Sequence, residues 1–174
     1  MLDSLALLLA PLYIQIKFVH LVAVAAWLFS TSVAYTNYLV PVFKAWQKNP
    51  DKEELVRMRN WTMERFDEGV KLEHIAFPVI LITGPLLMLA AGWSPIHGWM
   101  ALKLVLVVLV FLPLEAMDYY LSHFGGNKAQ LRLAGDTYGY ESAIHNHWWF
   151  LIISTPIVAI SIPFTIYLAV TKPF

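Results

Sequence analysis

Six histidines are the residues of this sequence best suited to bind a metal or a cofactor, because they lie within or at the ends of long apolar stretches. The chain has no cysteine, so disulfides, iron–sulfur clusters and thiolate metal sites are excluded. Neutral imidazoles on facing helices can supply the axial ligands of a noncovalent b-type haem. Imidazole and carboxylate groups can instead bind a transition metal such as copper, with His145 and His147 as a short chelating pair. Both chemistries stay open at this point.

Helical spacing predicts a polar stripe on each of three spans, with His20, His74 or His145 on it. Ionisable groups inside membrane spans usually face a bundle interior and mark function. Lys103 is the candidate catalytic group, expected near a haem propionate or an anionic substrate. The alternatives are hydrogen-bonded histidines at the membrane boundary and, for Lys103, an ammonium that extends to the headgroups. The predicted cofactor ligands are His20, His74, Met88 and His145, and the predicted metal ligands are His20, His145 and His147.

Four apolar stretches must position these groups, and each has a length that suits a membrane span. A bilayer core of about 30 Å needs roughly 20 apolar residues per helix. The 174 residues are 59% hydrophobic with a mean hydropathy of +0.60, which exceeds the apolar share of ordinary soluble domains. The sequence therefore predicts one all-α integral membrane domain over residues 1–174, a transmembrane four-helix antiparallel bundle. The expected spans cover about residues 14–40, 74–93, 97–119 and 146–170.

The distribution of basic residues predicts the orientation of this bundle. Residues 41–73 contain seven lysines and arginines and residues 118–147 contain two, against three on the opposite side. By the positive-inside rule, both loops are cytoplasmic and both termini face outward. Asp51 and Glu54 fit a capping box, which predicts a cytoplasmic amphipathic helix between spans one and two. The alternative for this segment is a solvated charged linker.

The charge balance and the apolar faces limit the partners. A formal net charge of zero gives no electrostatic case for nucleic acid, whereas the lipid bilayer is the expected partner of the apolar faces. Polar stripes on the helices would also suit a homo-oligomer or a neighbouring subunit. One alternative function is therefore an accessory subunit that stabilises a larger membrane complex, and another is a copper-handling protein in which His20 and Met88 share a depth.

Two segments of the sequence carry a family resemblance. Residues 16–27 place Lys17 and His20 before an apolar run, and residues 98–103 open a span with Gly-Trp and end at Lys103. These patterns, with the ending at residues 170–174, are similar to a superfamily of small membrane proteins that includes the HemJ-type protoporphyrinogen oxidases and the copper resistance D domain. The interruption at residues 112–114 and the ending at residues 162–173 resemble most closely the uncharacterised branch of predicted integral membrane proteins in that superfamily.

The resemblance implies haem b or porphyrin chemistry, with His20 and Lys103 as the residues that carry over by position. It implies HemJ-like porphyrinogen oxidation, or electron transfer to quinone or to a membrane redox partner subunit. The implied location is the bacterial cytoplasmic membrane, with both termini periplasmic. The chain departs from the HemJ-type enzymes at residues 113–117, where they carry a further histidine, and at His147, where they have glutamate. Haem b is the leading cofactor expectation and copper the alternative.

Overall fold

The computed structural model of the chain describes residues 2–96, 98–125 and 127–173, and these residues form helices, turns and short connections with no strand among them. Four helical segments are long and apolar enough to cross a membrane: Leu5–Lys48, Glu53–Ala90, Gly98–Leu133 and Thr137–Thr171. The prediction of an all-α chain with four candidate spans is thereby confirmed. The helices are α1 (Leu2–Leu9), α2 (Tyr13–Ala34), α3 (Val40–Lys48), α4 (Glu53–Gly69), α5 (Lys71–Ala90), α6 (Gly98–Leu106), α7 (Leu112–His123), α8 (Lys128–Leu133) and α9 (Thr137–Thr171).

Two widened π-helical turns interrupt the first and third segments at matching places. Tyr35–Leu39 joins α2 to α3, and Val107–Phe111 joins α6 to α7. Each turn ends two residues before a proline, Pro41 or Pro113. A proline lacks the backbone N–H and its ring clashes with the carbonyl four residues earlier, and in both segments that carbonyl belongs to the π-helical turn. The extra residue in the turn therefore accommodates the proline without ending the helix.

The segment between the first two apolar stretches differs from the sequence-based prediction. A helix does form, but α4 continues through Val70 into α5, so no separate surface helix is present in the described residues. The predicted capping box is wrong, because Lys52 is the N-cap and no side chain caps the helix. The apolar face of α4 is covered by protein, since Met63 and Phe66 pack in one cluster with residues of α3 and α9.

Contacts between helix ends show how neighbouring segments run. His20 lies early in the first segment and bonds Thr83, late in the second, so these two segments run in opposite directions. Trp99 and Met100, at the start of α6, pack against Leu168, at the end of α9. The third and fourth segments therefore also run in opposite directions.

The outer surface of the bundle is strongly apolar. Large side chains along all four long segments are exposed, and they include Phe18, Phe29, Ile75, Leu109 and Ile160. A soluble monomer rarely exposes contiguous apolar surface of this extent, whereas lipid hydrocarbon chains cover it without cost. The helical backbone satisfies its own hydrogen bonds, as a span must. The surface and the four long helices together suggest an integral membrane protein.

The core formed by α3, α4 and α9 gives a first testable prediction. Met63 is 0% exposed and Met58, on the same helix, is 45% exposed. Met63→Ala should lower the free energy of unfolding by about 2–5 kcal/mol through lost burial and a cavity, while Met58→Ala should change it little. Chemical unfolding of both variants in detergent measures the difference. Equal effects would contradict the packing of α4 described above.

Candidate functional site

The first candidate site surrounds His20, which lies within the first span. The His20 Nδ1 atom is 2.7 Å from the Thr83 hydroxyl oxygen. Thr83 donates its single hydroxyl proton to the carbonyl of Val79 over 2.6 Å, so the hydroxyl accepts the Nδ1–H of His20. This hydrogen bond fixes the tautomer and orients the ring. The Nε2 atom keeps its lone pair, and no hydrogen bond to it is formed within the described residues.

Lys103 lies close enough to His20 for its positive charge to act on the imidazole. The lysine is partly buried near the start of the third span, and among the residues that the structure describes it forms no ion pair. A cation inside a span without a counter-charge is costly. The site formed by His20, Thr83 and Lys103, called the His20 site below, therefore favours an anionic group.

The second candidate site is a buried polar network at the end of the bundle that contains α4 and α8. Five helices contribute to it, and every member is hydrogen-bonded to another member. The polar network consists of Asp67 on α4, His74 on α5, Asp118 and His123 on α7, Lys128 on α8 and His147 on α9.

Lys128 and His147 form the centre of the polar network, and both side chains are 0% exposed. The Lys128 Nζ atom lies 3.0 and 2.8 Å from the two carboxylate oxygens of Asp67 and 2.7 Å from His147 Nδ1. An ammonium group only donates, so His147 Nδ1 accepts. The Nε2–H of His147 then donates to Asp118 Oδ1 over 3.0 Å. His147 is therefore held between the ammonium of Lys128 and the carboxylate of Asp118, and Asp67 Oδ1 also lies 3.3 Å from its Nδ1 atom.

His74 extends the polar network on the other side of Asp118. Its Nε2 atom is 3.0 Å from Asp118 Oδ2, and its Nδ1 atom is 2.9 Å from His123 Nε2. Both ring nitrogens of His74 are thus occupied, as both are in His147. A metal or haem ligand needs a nitrogen with a free lone pair, so neither residue is available as a ligand in this arrangement.

A carboxyl group lies inside the third span next to the polar network. Glu115 accepts a hydrogen bond from the Trp27 indole, and Glu73 lies beside it. The Trp27 ring packs against Phe77 and Phe111 at centroid distances of 5.6 and 5.4 Å. Glu115 and Asp118 are one helical turn apart on α7, on the same face.

The two other sequence-predicted ligands lie elsewhere in the bundle. Met88 packs against the apolar cluster of Trp99, Met100 and Leu168. His145 is exposed and lines a cleft of about 360 Å³ with aromatic walls, next to Arg59. Because His145 faces this cleft while His147 is buried in the polar network, the predicted chelating pair is not formed.

The structure therefore brings together His20 and Lys103, and it links His74 to His147 through Asp118. It does not bring His20, His145 and His147 to one place, nor Met88 to His20. Within the described ranges, no group of three or more histidine and acidic side chains is arranged to hold a metal ion.

Sequence reasoning missed three residues that complete these sites. Thr83 is a hydroxyl within an apolar run, and its role depends on a contact with His20 across 63 positions. Asp67 lies in the predicted interspan helix and Lys128 in a predicted loop, and nothing local in the sequence indicates that they pair. The N-cap of α8 is a local signal, since the Asn127 side chain accepts from the Gln130 amide at 3.1 Å and begins the helix that carries Lys128.

Comparisons with known proteins give no independent identification. No family model matches this chain, and neither the curated proteins nor the solved structures include a significant match. The similarity to the superfamily of HemJ-type oxidases stays a prediction that rests on the quoted segments alone.

The buried ion pair of Lys128 gives the second prediction. Lys128→Met leaves Asp67 as a buried charge without its partner, so the free energy of unfolding should fall by about 3–5 kcal/mol. The exposed Lys52, which pairs with Glu54 at 3.7 Å, is the matched control, and Lys52→Met should cost less than about 1 kcal/mol. The double variant Lys128→Met/Asp67→Leu should recover part of the loss. Thermal unfolding in detergent tests the series, and equal losses for the two lysine variants would exclude the pairing.

Proposed function

We propose that the chain is an integral membrane redox protein that binds a b-type haem noncovalently at the His20 site. The observation that carries this proposal is the combination of an oriented imidazole with a free nitrogen and an unpaired lysine beside it, both inside spans. A haem offers the complementary chemistry, because it has an iron that binds imidazole and propionates that carry negative charge.

The geometry around His20 fits an axial ligand. Metal-bound histidines almost always donate their other ring N–H to a neighbouring acceptor, which raises the basicity of the ligating nitrogen. Thr83 accepts that proton from His20 over 2.7 Å. Gly84 adjoins the imidazole, since a Cβ added there would lie 3.8 Å from His20 Cε1, so α5 contacts the ring at a residue without a side chain.

Lys103 fits the role of a propionate partner. Its ammonium group carries a charge inside the third span without a counter-ion among the described residues. Binding of a carboxylate would compensate that charge, and the attraction would be strong because little water is present. Lys103 would in this way position the ligand rather than react with it.

The same geometry favours a single axial histidine. Thr83 and His74 are nine residues apart on α5, which corresponds to a rise of about 14 Å. Two imidazole nitrogens on one iron lie within about 4 Å of each other, since metal–imidazole bonds are about 2 Å long. His74 is thus too far from the His20 site to share an iron, and His145 lies in the separate cleft.

Haem supplies one-electron chemistry when bound, and the protein supplies the ligand, the charge and the low-dielectric surroundings. The resemblance to HemJ-type oxidases supports porphyrinogen oxidation, or electron transfer to quinone or to a redox subunit, as the activity. The exposed apolar surface supports an approach of such partners from within the bilayer. The described residues give copper no advantage over haem, because Met88 packs in the apolar cluster of Trp99, Met100 and Leu168.

The third prediction concerns the haem content of purified variants. His20→Ala should abolish haem binding by removing the axial ligand, whereas His145→Ala, the matched control in the exposed cleft, should leave it unchanged. Thr83→Val should weaken binding about 10- to 100-fold through loss of the orienting hydrogen bond. Lys103→Met should weaken haem binding, whereas Lys103→Arg, which keeps the positive charge, should retain most of the affinity. Pyridine haemochrome analysis measures the content.

Equal haem content in the wild type and in His20→Ala would overturn the assignment of the ligand. Absence of haem from every protein, including the wild type produced with ample haem, would overturn the redox proposal. Elemental analysis of that protein then separates a copper-handling role from an accessory subunit.

We also propose that the chain lies in a bacterial cytoplasmic membrane with both termini periplasmic. The excess of basic residues in 41–73 and 118–147 supports cytoplasmic placement of both loops. In this orientation α4 is a cytoplasmic amphipathic extension of the second span. The polar network then lies at the cytoplasmic end of the bundle.

The fourth prediction tests this orientation in the naturally cysteine-free chain. Ile96 and Tyr138 are 87% and 88% exposed, and they lie at opposite ends of the bundle. In intact cells, a membrane-impermeant thiol reagent should label Ile96→Cys and leave Tyr138→Cys unlabelled until the membrane is opened. The reverse labelling pattern would show that the orientation is inverted.

A further inference from the structure

We propose that His123, His74 and Asp118 form a proton-transfer path from the end of the bundle to the buried carboxyl group of Glu115. This function is independent of haem binding, because it uses none of the residues of the His20 site. It assigns to the chain the handling of protons between the aqueous side and a carboxyl group inside a span.

The path consists of two imidazoles connected nitrogen to nitrogen, followed by a carboxylate. His123 Nε2 lies 2.9 Å from His74 Nδ1, and His74 Nε2 lies 3.0 Å from Asp118 Oδ2. An imidazole can take a proton at one nitrogen and release another proton from the second nitrogen. The two distances are those of ordinary hydrogen bonds, so no side chain has to move before a proton passes from His123 through His74 to Asp118.

Burial gives the path an open end and a closed end. His123 is partly exposed at the end of α7. The side chains of His74 and Asp118 are 5% and 10% exposed, so water has little access to the path beyond His123. Asp118 and Glu115 are one turn apart, and the charge of Asp118 acts on the Glu115 carboxyl group.

Glu115 has the surroundings of a proton acceptor. It lies beside the carboxyl group of Glu73 within a span, and two carboxyl groups this close cannot both be ionised without strong repulsion. Two neighbouring carboxyl groups can share one proton, which is what a terminal acceptor or donor of the path requires. The Trp27 indole fixes Glu115 by donating a hydrogen bond to it.

The proton transfer itself balances without electrons or a further reactant. Water delivers a proton to His123 Nδ1, and the Nε2–H proton of His123 passes to His74 Nδ1. The Nε2–H proton of His74 passes to Asp118 Oδ2. A rotation of the Asp118 or Glu115 side chain then brings the proton to the Glu115 carboxyl group, one helical turn away on α7. Each imidazole ends neutral in its other tautomer, and the reverse sequence returns the proton and resets the path.

The remaining charged groups around the path do not offer the proton a second route. His147 donates to the other oxygen of Asp118, but its Nδ1 atom faces the ammonium of Lys128, which is paired with Asp67. A protonated Nδ1 cannot be accommodated against that ammonium. His147 therefore fixes the position of Asp118 but does not transfer protons. Lys71 and Asp67 act on His123 with opposite charges, and Tyr119 covers both imidazoles at centroid distances of 5.1 and 4.9 Å.

The fifth prediction follows the protonation of Glu115 after a pH jump, by time-resolved infrared spectroscopy of the purified full-length protein. The carboxyl band is assigned by its loss in Glu115→Gln. His123→Ala and His74→Gln should slow protonation of Glu115 by roughly tenfold or more and leave the final amplitude unchanged. The glutamine at position 74 can still donate to Asp118, which protects the fold. His145→Ala, an exposed histidine outside the path, is the control.

Added imidazole provides a second readout that a structural role would not affect. It should restore the rate in His123→Ala, where the missing side chain is partly exposed, and should not restore it in His74→Gln, where the position is buried. Unchanged rates in both variants would overturn the path, as would the absence of any Glu115 carboxyl band. These outcomes are measured without reference to haem, so they do not depend on the proposed redox function.

Discussion

The ammonium group of Lys128 is fully buried, and the rest of the bundle end is organised by the need to satisfy it. Removing such a charge from water costs several kcal/mol, which is recovered only when every donor finds an acceptor. Asp67 on α4, His147 on α9 and the carbonyl of Leu121 on α7 provide those acceptors. One side chain from a six-residue helix thereby fixes the relative positions of three longer ones.

That constraint separates the molecule into two polar centres with different properties. The polar network is fully paired, so it is rigid, and it presents its one accessible imidazole at His123. The His20 site has an open imidazole nitrogen and an unpaired cation, so it is ready for a ligand. Near Glu115, the ring of Trp27 packs against Phe77 and Phe111 and adds an aromatic cluster to the interior of the bundle. Proton transfer at one end and ligand binding within the spans can therefore operate in separate compartments of one small fold.

The sequence predicted those features that depend on local pattern. Apolar length gave the four candidate spans, and the position of His20 within one of them marked it for attention. The π-helical turns before Pro41 and Pro113 were not predicted, because a proline in a span is also compatible with a kink or a break. Thr83 and Lys128 were missed because their partners are 63 and 61 positions away, and no periodicity encodes such pairs. His74 and His147 were expected to be ligands, but a histidine in sequence carries no sign of whether its two nitrogens are already occupied.

The reduced-minus-oxidised visible spectrum of the wild-type protein, purified from cells supplied with haem, tests the central claim most directly. The account predicts a b-type signal with about one haem per chain, since one oriented histidine provides one axial position. A spectrum without any haem signal would contradict the account, because the oriented imidazole and the unpaired lysine of the His20 site would then need a different ligand.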